Sequence, residues 1–184
     1  NLSISNLFKG VKYPLYSSLI TNSVVFSLNE KMKSLGYPSY INGFIAGFLV
    51  SPNVFFFDYM KVNKQVGNEI AKYNFKNMKG LTATFGRETI AFSAYFTTYD
   101  YLRQYNFNIP ISGAIAGITN WTISYPLDII RNRQIAQNIT FIDALNKGKL
   151  WHGIEYCLLR AVIVNSVAFS VYENTNSYLK KIIN

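Results

Sequence analysis

The sequence predicts an all-α membrane protein, a helical bundle of five long segments built on an internal repeat. Three observations predict it. Five segments each exceed twenty residues and are rich in apolar side chains. Every one of them is interrupted by polar or charged residues. Landmark residues recur at intervals of 70 to 73 positions. About 20 residues of helix cross a bilayer core. Interior polar residues suit helices that line an aqueous cavity, whereas a lone span facing lipid tolerates them poorly.

The 184 residues are enough for a sizeable core. Hydrophobic residues make up 49% and aromatics 16%, yet mean hydropathy is only +0.09, so hydropathy alone does not assign a membrane. Charged residues are 15%, well below the roughly 25% of soluble domains. A net charge of +9 fits nucleic acid, anionic lipid or anionic solutes. The basic residues are spread over segment ends with no compact run, which ranks nucleic acid low. Cys157 is the single cysteine and His152 the single histidine. No internal disulfide, zinc ligand set or catalytic constellation follows from them, so neither an enzyme nor a metal or organic cofactor is expected.

The first segment runs from Val11 to about Leu35, broken by Ser17, Ser18, Thr21, Asn22 and Ser23, and ends at Gly36-Tyr37-Pro38. The second runs from about Ser39 to Gln65 and carries Gly43 and Gly47, the spacing that lets helices approach closely in lipid. Val66–Asn77 is a polar connection. Met78-Lys79-Gly80 opens the third segment, which reaches about Arg103 and holds Arg87-Glu88 in an apolar setting. The fourth runs from Ile109 to Arg133, with Gly113 and Gly117 repeating the small-residue spacing. Pro126 inside it predicts a kink. Asp128 and Arg131 share a helix face and need partners on neighbouring helices. Gln134–Lys149 is a polar connection with a short helix expected at Thr140–Leu145. The fifth segment follows Leu150-Trp151-His152-Gly153 and reaches about Lys180.

Gly10, Gly80 and Gly153 mark the repeat, 70 and 73 residues apart. Arg87 and Arg160 each lie seven residues beyond their glycine. Tyr99-Asp100 and Tyr172-Glu173 follow at matching offsets, as does Asn29-Glu30 after Gly10. Independently, Asp58 and Asp128 are 70 apart. Two unrelated landmarks with one period indicate repeated units. The units divide as 1–36, 37–106 and 107–184, each expected to be two helices with a short connecting helix, the chain entering midway through the first.

Pro126-x-Asp128-x-x-Arg131-x-Arg133 resembles the signature of the mitochondrial carrier family. The copy at Asp58-x-x-Lys61 is degraded, with Phe56 at the proline position, Pro52 four residues earlier and Asn63 in place of the second base. Tyr99-Asp100-x-x-Arg103 is similar to the family's second motif; Glu30-x-x-Lys33 lacks the aromatic and Glu173 lacks the base. The resemblance implies a carrier bundle with threefold pseudo-repeat, five of its six transmembrane helices present here. It implies residence in the mitochondrial inner membrane without a cleaved presequence, and a monomer. It further implies a matrix gate at Asp58, Lys61, Asp128 and Arg131, and a cytosolic gate at Glu30, Lys33, Asp100, Arg103 and Glu173. The aromatic–Lys–Gly landmark implies cardiolipin as a structural lipid, its phosphate at helix N-termini.

Family resemblance places substrate contacts at Thr21, Arg87, Glu88 and Arg160. Arginines bind carboxylates or phosphates in bidentate fashion. Glu88 either accepts a cationic group or holds Arg87 in place. Gly86-Arg87-Glu88-Thr89 resembles the carnitine and basic-amino-acid branch, although Thr21 stands where ornithine-type carriers have a glutamate. The expected function is exchange of a small metabolite, an amino acid or carnitine-like zwitterion, by alternating access. Two alternatives stay open: a nucleotide or deoxynucleotide exchanger of the same fold, and a non-transporting membrane scaffold.

Overall fold

The computed structural model describes residues 12–66 and 79–161. Four long helices dominate: α1 (Lys12–Ser34), α2 (Ser39–Val66), α3 (Leu81–Gln104) and α4 (Ile109–Gln137). A short α5 (Phe141–Asn146) follows, and a further helix, α6, begins at residue 154 and is described through 161. From α1 to α5 consecutive helices pack on one another, and α2 also touches α4. The expected short helix at 140–145 is observed one residue later. The fourth segment continues four residues beyond Arg133, to Gln137. Pro126 is accommodated within one continuous helix.

Among the described residues the bundle buries many small and polar side chains and exposes many large apolar ones, although Phe55, Phe96, Tyr125, Ile130 and Ile135 are buried. Asn42, Ser51, Thr84, Ser112 and Ser124 are fully buried, beside Ala46 and Ala116. Leu15, Leu19, Phe44, Phe48, Leu49, Ile118 and Ile123 point outward. A water-soluble bundle has the opposite pattern; lipid, as apolar as leucine, leaves close packing of small residues to hold helices together. Among the described residues, α2 is the one helix whose length and composition alone suffice for a span.

Gly43 and Gly47 show why the small-residue spacing matters. A Cβ at Gly43 would run into the Phe92 carbonyl and lie 2.5 Å from Ser93 Cα on α3. One at Gly47 would meet the Glu88 carbonyl and lie 2.7 Å from Thr89 Cα. Both obstacles are backbone, so nothing yields without moving a helix. Gly47→Leu should destabilise the protein by roughly 1–3 kcal/mol or more through overpacking. Leu49→Ala, on the outward face, should stay within about 0.5 kcal/mol. Thermal unfolding of the detergent-purified protein compares the two; equal melting temperatures would contradict this packing.

The turns preserve the sequence repeat. After α1, Gly36 N–H bonds to Lys33 O and Tyr37 N–H to Met32 O. After α3, Asn106 and Phe107 make the same two bonds to Arg103 and Leu102. This paired pattern is a Schellman cap, which needs a left-handed residue. Gly36 (φ 77°) and Asn106 (φ 61°) supply it. The caps are 70 residues apart, as are the buried pairs Asn42/Ser112 and Ala46/Ala116. Thus α2 and α4 bury equivalent faces.

At the opposite end, Lys79 Nζ donates to Asn138 O, 2.7 Å away, and ties the start of α3 to the end of α4. Arg133 donates to the carbonyls of Ala144 and Gly148 at the end of α5. The last base of the signature therefore anchors the connecting helix and stays out of the charge network. Thr140 and Asp143 form a reciprocal capping box at the start of α5. Hydrogen bonds from the Thr140 hydroxyl and backbone hold the Asp143 carboxyl below its ordinary range. A depressed carboxylate stabilises the fold above its unfolded pKa of about 4 and loses that contribution as pH falls through its folded value.

Candidate functional site

A cavity of about 800 Å³ lies among the long helices, lined from α1, α2, α3, α4 and α6. Thr21, Asp58, Lys61, Arg87, Glu88, Asp128, Arg131 and Arg160 all contribute to its lining. The residues expected as substrate contacts and those expected as the matrix gate therefore border one space.

Helical spacing and the repeat bring the charges together. Asp128 and Arg131 sit one turn apart on α4, and Arg131 Nη2 is 2.7 Å from Asp128 Oδ1. The equivalent face of α2 presents Asp58, whose Oδ2 is 2.8 Å from Arg131 Nη1. From α3, Glu88 Oε1 lies 3.6 Å from Arg131 Nη1 and pairs directly with Arg87. Arg87 Nε is in turn 3.6 Å from Asp128 Oδ1. Two guanidiniums thus knit three carboxylates from three helices. Glu88 is 2% exposed and Arg131 6%. Burying these charges is tolerable because each carboxylate has a guanidinium partner, and removing one partner of such a pair costs about 3–5 kcal/mol.

The Glu88 carboxylate is engaged by both arginines, so a solute cation would have to displace one of them. Thr21 is also engaged: Asn53 Nδ2 donates to its hydroxyl from α2, at 3.1 Å. Lys61 forms no ion pair among the described residues. In the degraded copy, Asn63, in place of the second base, bonds to Tyr59 O at 2.8 Å within its own helix.

Trp121 is the residue that motif reading missed. The Arg87 guanidinium carbon lies 5.2 Å from its ring centre and that of Arg160 lies 5.4 Å away. Cation–π attraction of this kind is worth about 0.5–2 kcal/mol. Arg160 makes no ion pair among the described residues and lies instead against the indole. The available signal was position. Trp121 lies 70 residues after Ser51, which is fully buried, so a large aromatic on α4 breaks the symmetry with α2.

The hairpin end of the bundle holds a separate bridge. Lys33 Nζ is 2.6 Å from Asp100 Oδ1, joining α1 to α3, and the Ser39 hydroxyl donates to the other carboxylate oxygen. Arg103, whose motif is intact, donates to Phe107 O at 2.5 Å and meets no carboxylate among the described residues. Glu30 is exposed and forms no ion pair among them. Glu173 lies outside the described residues.

The family model described as "Mitochondrial carrier protein" matches residues 106–182. The chain is 26% identical to the Mitochondrial arginine transporter BAC2 of Arabidopsis thaliana, over 92% of this chain and 73% of that protein. It is 24% identical to the Mitochondrial basic amino acids transporter of Rattus norvegicus, over 97% of this chain and 73% of the relative. It is 25% identical to the Mitochondrial carrier-like protein L276 of Acanthamoeba polyphaga mimivirus, over 86% and 70%.

Proposed function

From the premise that this chain belongs to the mitochondrial carrier family and resides in the inner membrane, we propose that it exchanges an amino acid or carnitine-like zwitterion across that membrane. The charge balance of the cavity carries this reading. Lys61, Arg87, Arg131 and Arg160 oppose Asp58, Glu88 and Asp128, leaving one surplus positive charge among the described lining residues. One carboxylate pairs with that surplus, and the positive end of a zwitterion then needs a seat away from these charges. A nucleotide bearing several negative charges overshoots it and meets three acids already in place. Arg160, free of any acid among the described residues, is the natural carboxylate ligand. The relatives named for arginine and basic amino acids support the same class.

In this reading the Arg131 cluster and the Lys33–Asp100 bridge are the two barriers, matrix and cytosolic, that open in turn. Solute in the cavity offers new partners to the charges and lowers the cost of separating them. The working unit is a monomer, with cardiolipin as its structural lipid at helix N-termini.

Homo-exchange in liposomes tests the class. The reconstituted protein is loaded separately with basic amino acids, carnitine, ribonucleotides and deoxyribonucleotides. Exchange above empty liposomes is expected for an amino acid or carnitine. Exchange confined to nucleotides would replace this reading with the nucleotide one, and exchange of nothing would favour a scaffold.

A further inference from the structure

A second cavity of about 570 Å³ adjoins the charged one, and Trp121 and Arg160 line both. Its character is different. Phe26, Tyr95 and Tyr99 present aromatic walls, and no carboxylate lines it among the described residues. The Tyr95 and Tyr99 rings are stacked, 6.3 Å between centres and 7° between planes. Asn29 reaches it from α1, and Asn29 Oδ1 is buried with no hydrogen-bond partner among the described residues. A buried acceptor left unpaired costs about 1–3 kcal/mol, so a donor is wanted at that point. Ring faces carry negative potential and attract cations. The cavity thus combines one orphaned acceptor, several π faces and an arginine at one side.

We propose that this aromatic cavity holds the cationic end of the transported solute, a guanidinium or ammonium, while Arg160 holds its carboxylate. The inference rests on the zwitterion reading above and extends it by assigning the cation a place. Glu88 is the obvious alternative seat, but its carboxylate is already shared by Arg87 and Arg131. A ligand N–H satisfies Asn29 Oδ1, and the charge lies against the Tyr95 and Tyr99 rings. The solute then straddles Trp121, its two ends in two cavities of opposite chemistry.

Arginine and citrulline separate the possibilities, because they match in length and differ in the charge of the end group. Exchange of both is measured for the reconstituted wild type and for variants. Tyr95→Leu and Tyr99→Leu should reduce the preference for arginine over citrulline on the order of ten-fold. Tyr95→Phe and Tyr99→Phe, which keep the ring, should retain it. Asn29→Asp should raise the preference, a gain that poor folding cannot imitate. Glu88→Gln should affect both solutes alike. Arginine exchange in which Glu88→Gln removes the preference, and the Asn29 and tyrosine variants do not change it, would overturn the assignment and leave the zwitterion reading intact. A wild type that exchanges nucleotides but no cationic amino acid would overturn both.

Discussion

Arg131→Asp should abolish exchange and lower thermal stability together. Arg131 touches Asp58 at 2.8 Å, Asp128 at 2.7 Å and Glu88 at 3.6 Å, so reversal leaves Arg87 alone among four carboxylates. Loss of one buried partner costs about 3–5 kcal/mol, and the added repulsion increases it. The informative variant is the swap, Asp58→Arg with Arg131→Asp. It restores opposite charges across α2 and α4 and should recover part of both stability and transport. The recovery is incomplete because Glu88 and Asp128 were matched to a guanidinium on α4. Purely additive losses in the double variant would reject direct pairing.

Arg160→Ala and Arg87→Ala should separate binding from architecture. Arg160 stacks on Trp121 without an acid partner among the described residues, so its removal should leave the melting temperature nearly unchanged. Exchange of a carboxylate substrate should fall roughly 10- to 100-fold, the scale of a lost charge-assisted hydrogen bond. Arg87 is different, for it pairs with Glu88 and approaches Asp128. Its removal leaves a buried carboxylate short of a partner, so stability and exchange should fall together. Initial exchange rates and melting curves of both variants check this. Equal destabilisation by the two would mean that Arg160 is structural.

The repeat was the most legible feature of the chain, because it rests on spacing alone. Asp58 and Asp128 pointed to equivalent faces of two helices, and the 70-residue offset extends to their buried Asn42/Ser112 pair. The Gly43/Gly47 pattern also translated directly, since only glycine permits backbone contact with α3. Pairing across helices was only half legible. Sequence spacing showed that Asp128 and Arg131 needed partners, but not that Glu88 would sit between the arginines. That depends on how α3 is turned, which the packing of Gly47 against Glu88 and Thr89 decides. Trp121 and Asn53 were not singled out because neither belongs to a motif. Their significance comes from Arg87, Arg160 and Thr21, residues distant in the chain. The Arg103 motif shows how local groups share such a side chain: among the described residues its guanidinium donates to a nearby carbonyl, Phe107 O.

Competition by agmatine, which is arginine without its carboxylate, tests the central claim most directly. If the surplus positive charge of the cavity exists to take a carboxylate, the carboxylate should supply much of the affinity. Uptake of labelled arginine into arginine-loaded liposomes should be inhibited by unlabelled arginine, with agmatine weaker by roughly 10- to 100-fold. Agmatine competing as well as arginine would contradict the account, because Arg160 would then have no carboxylate to hold.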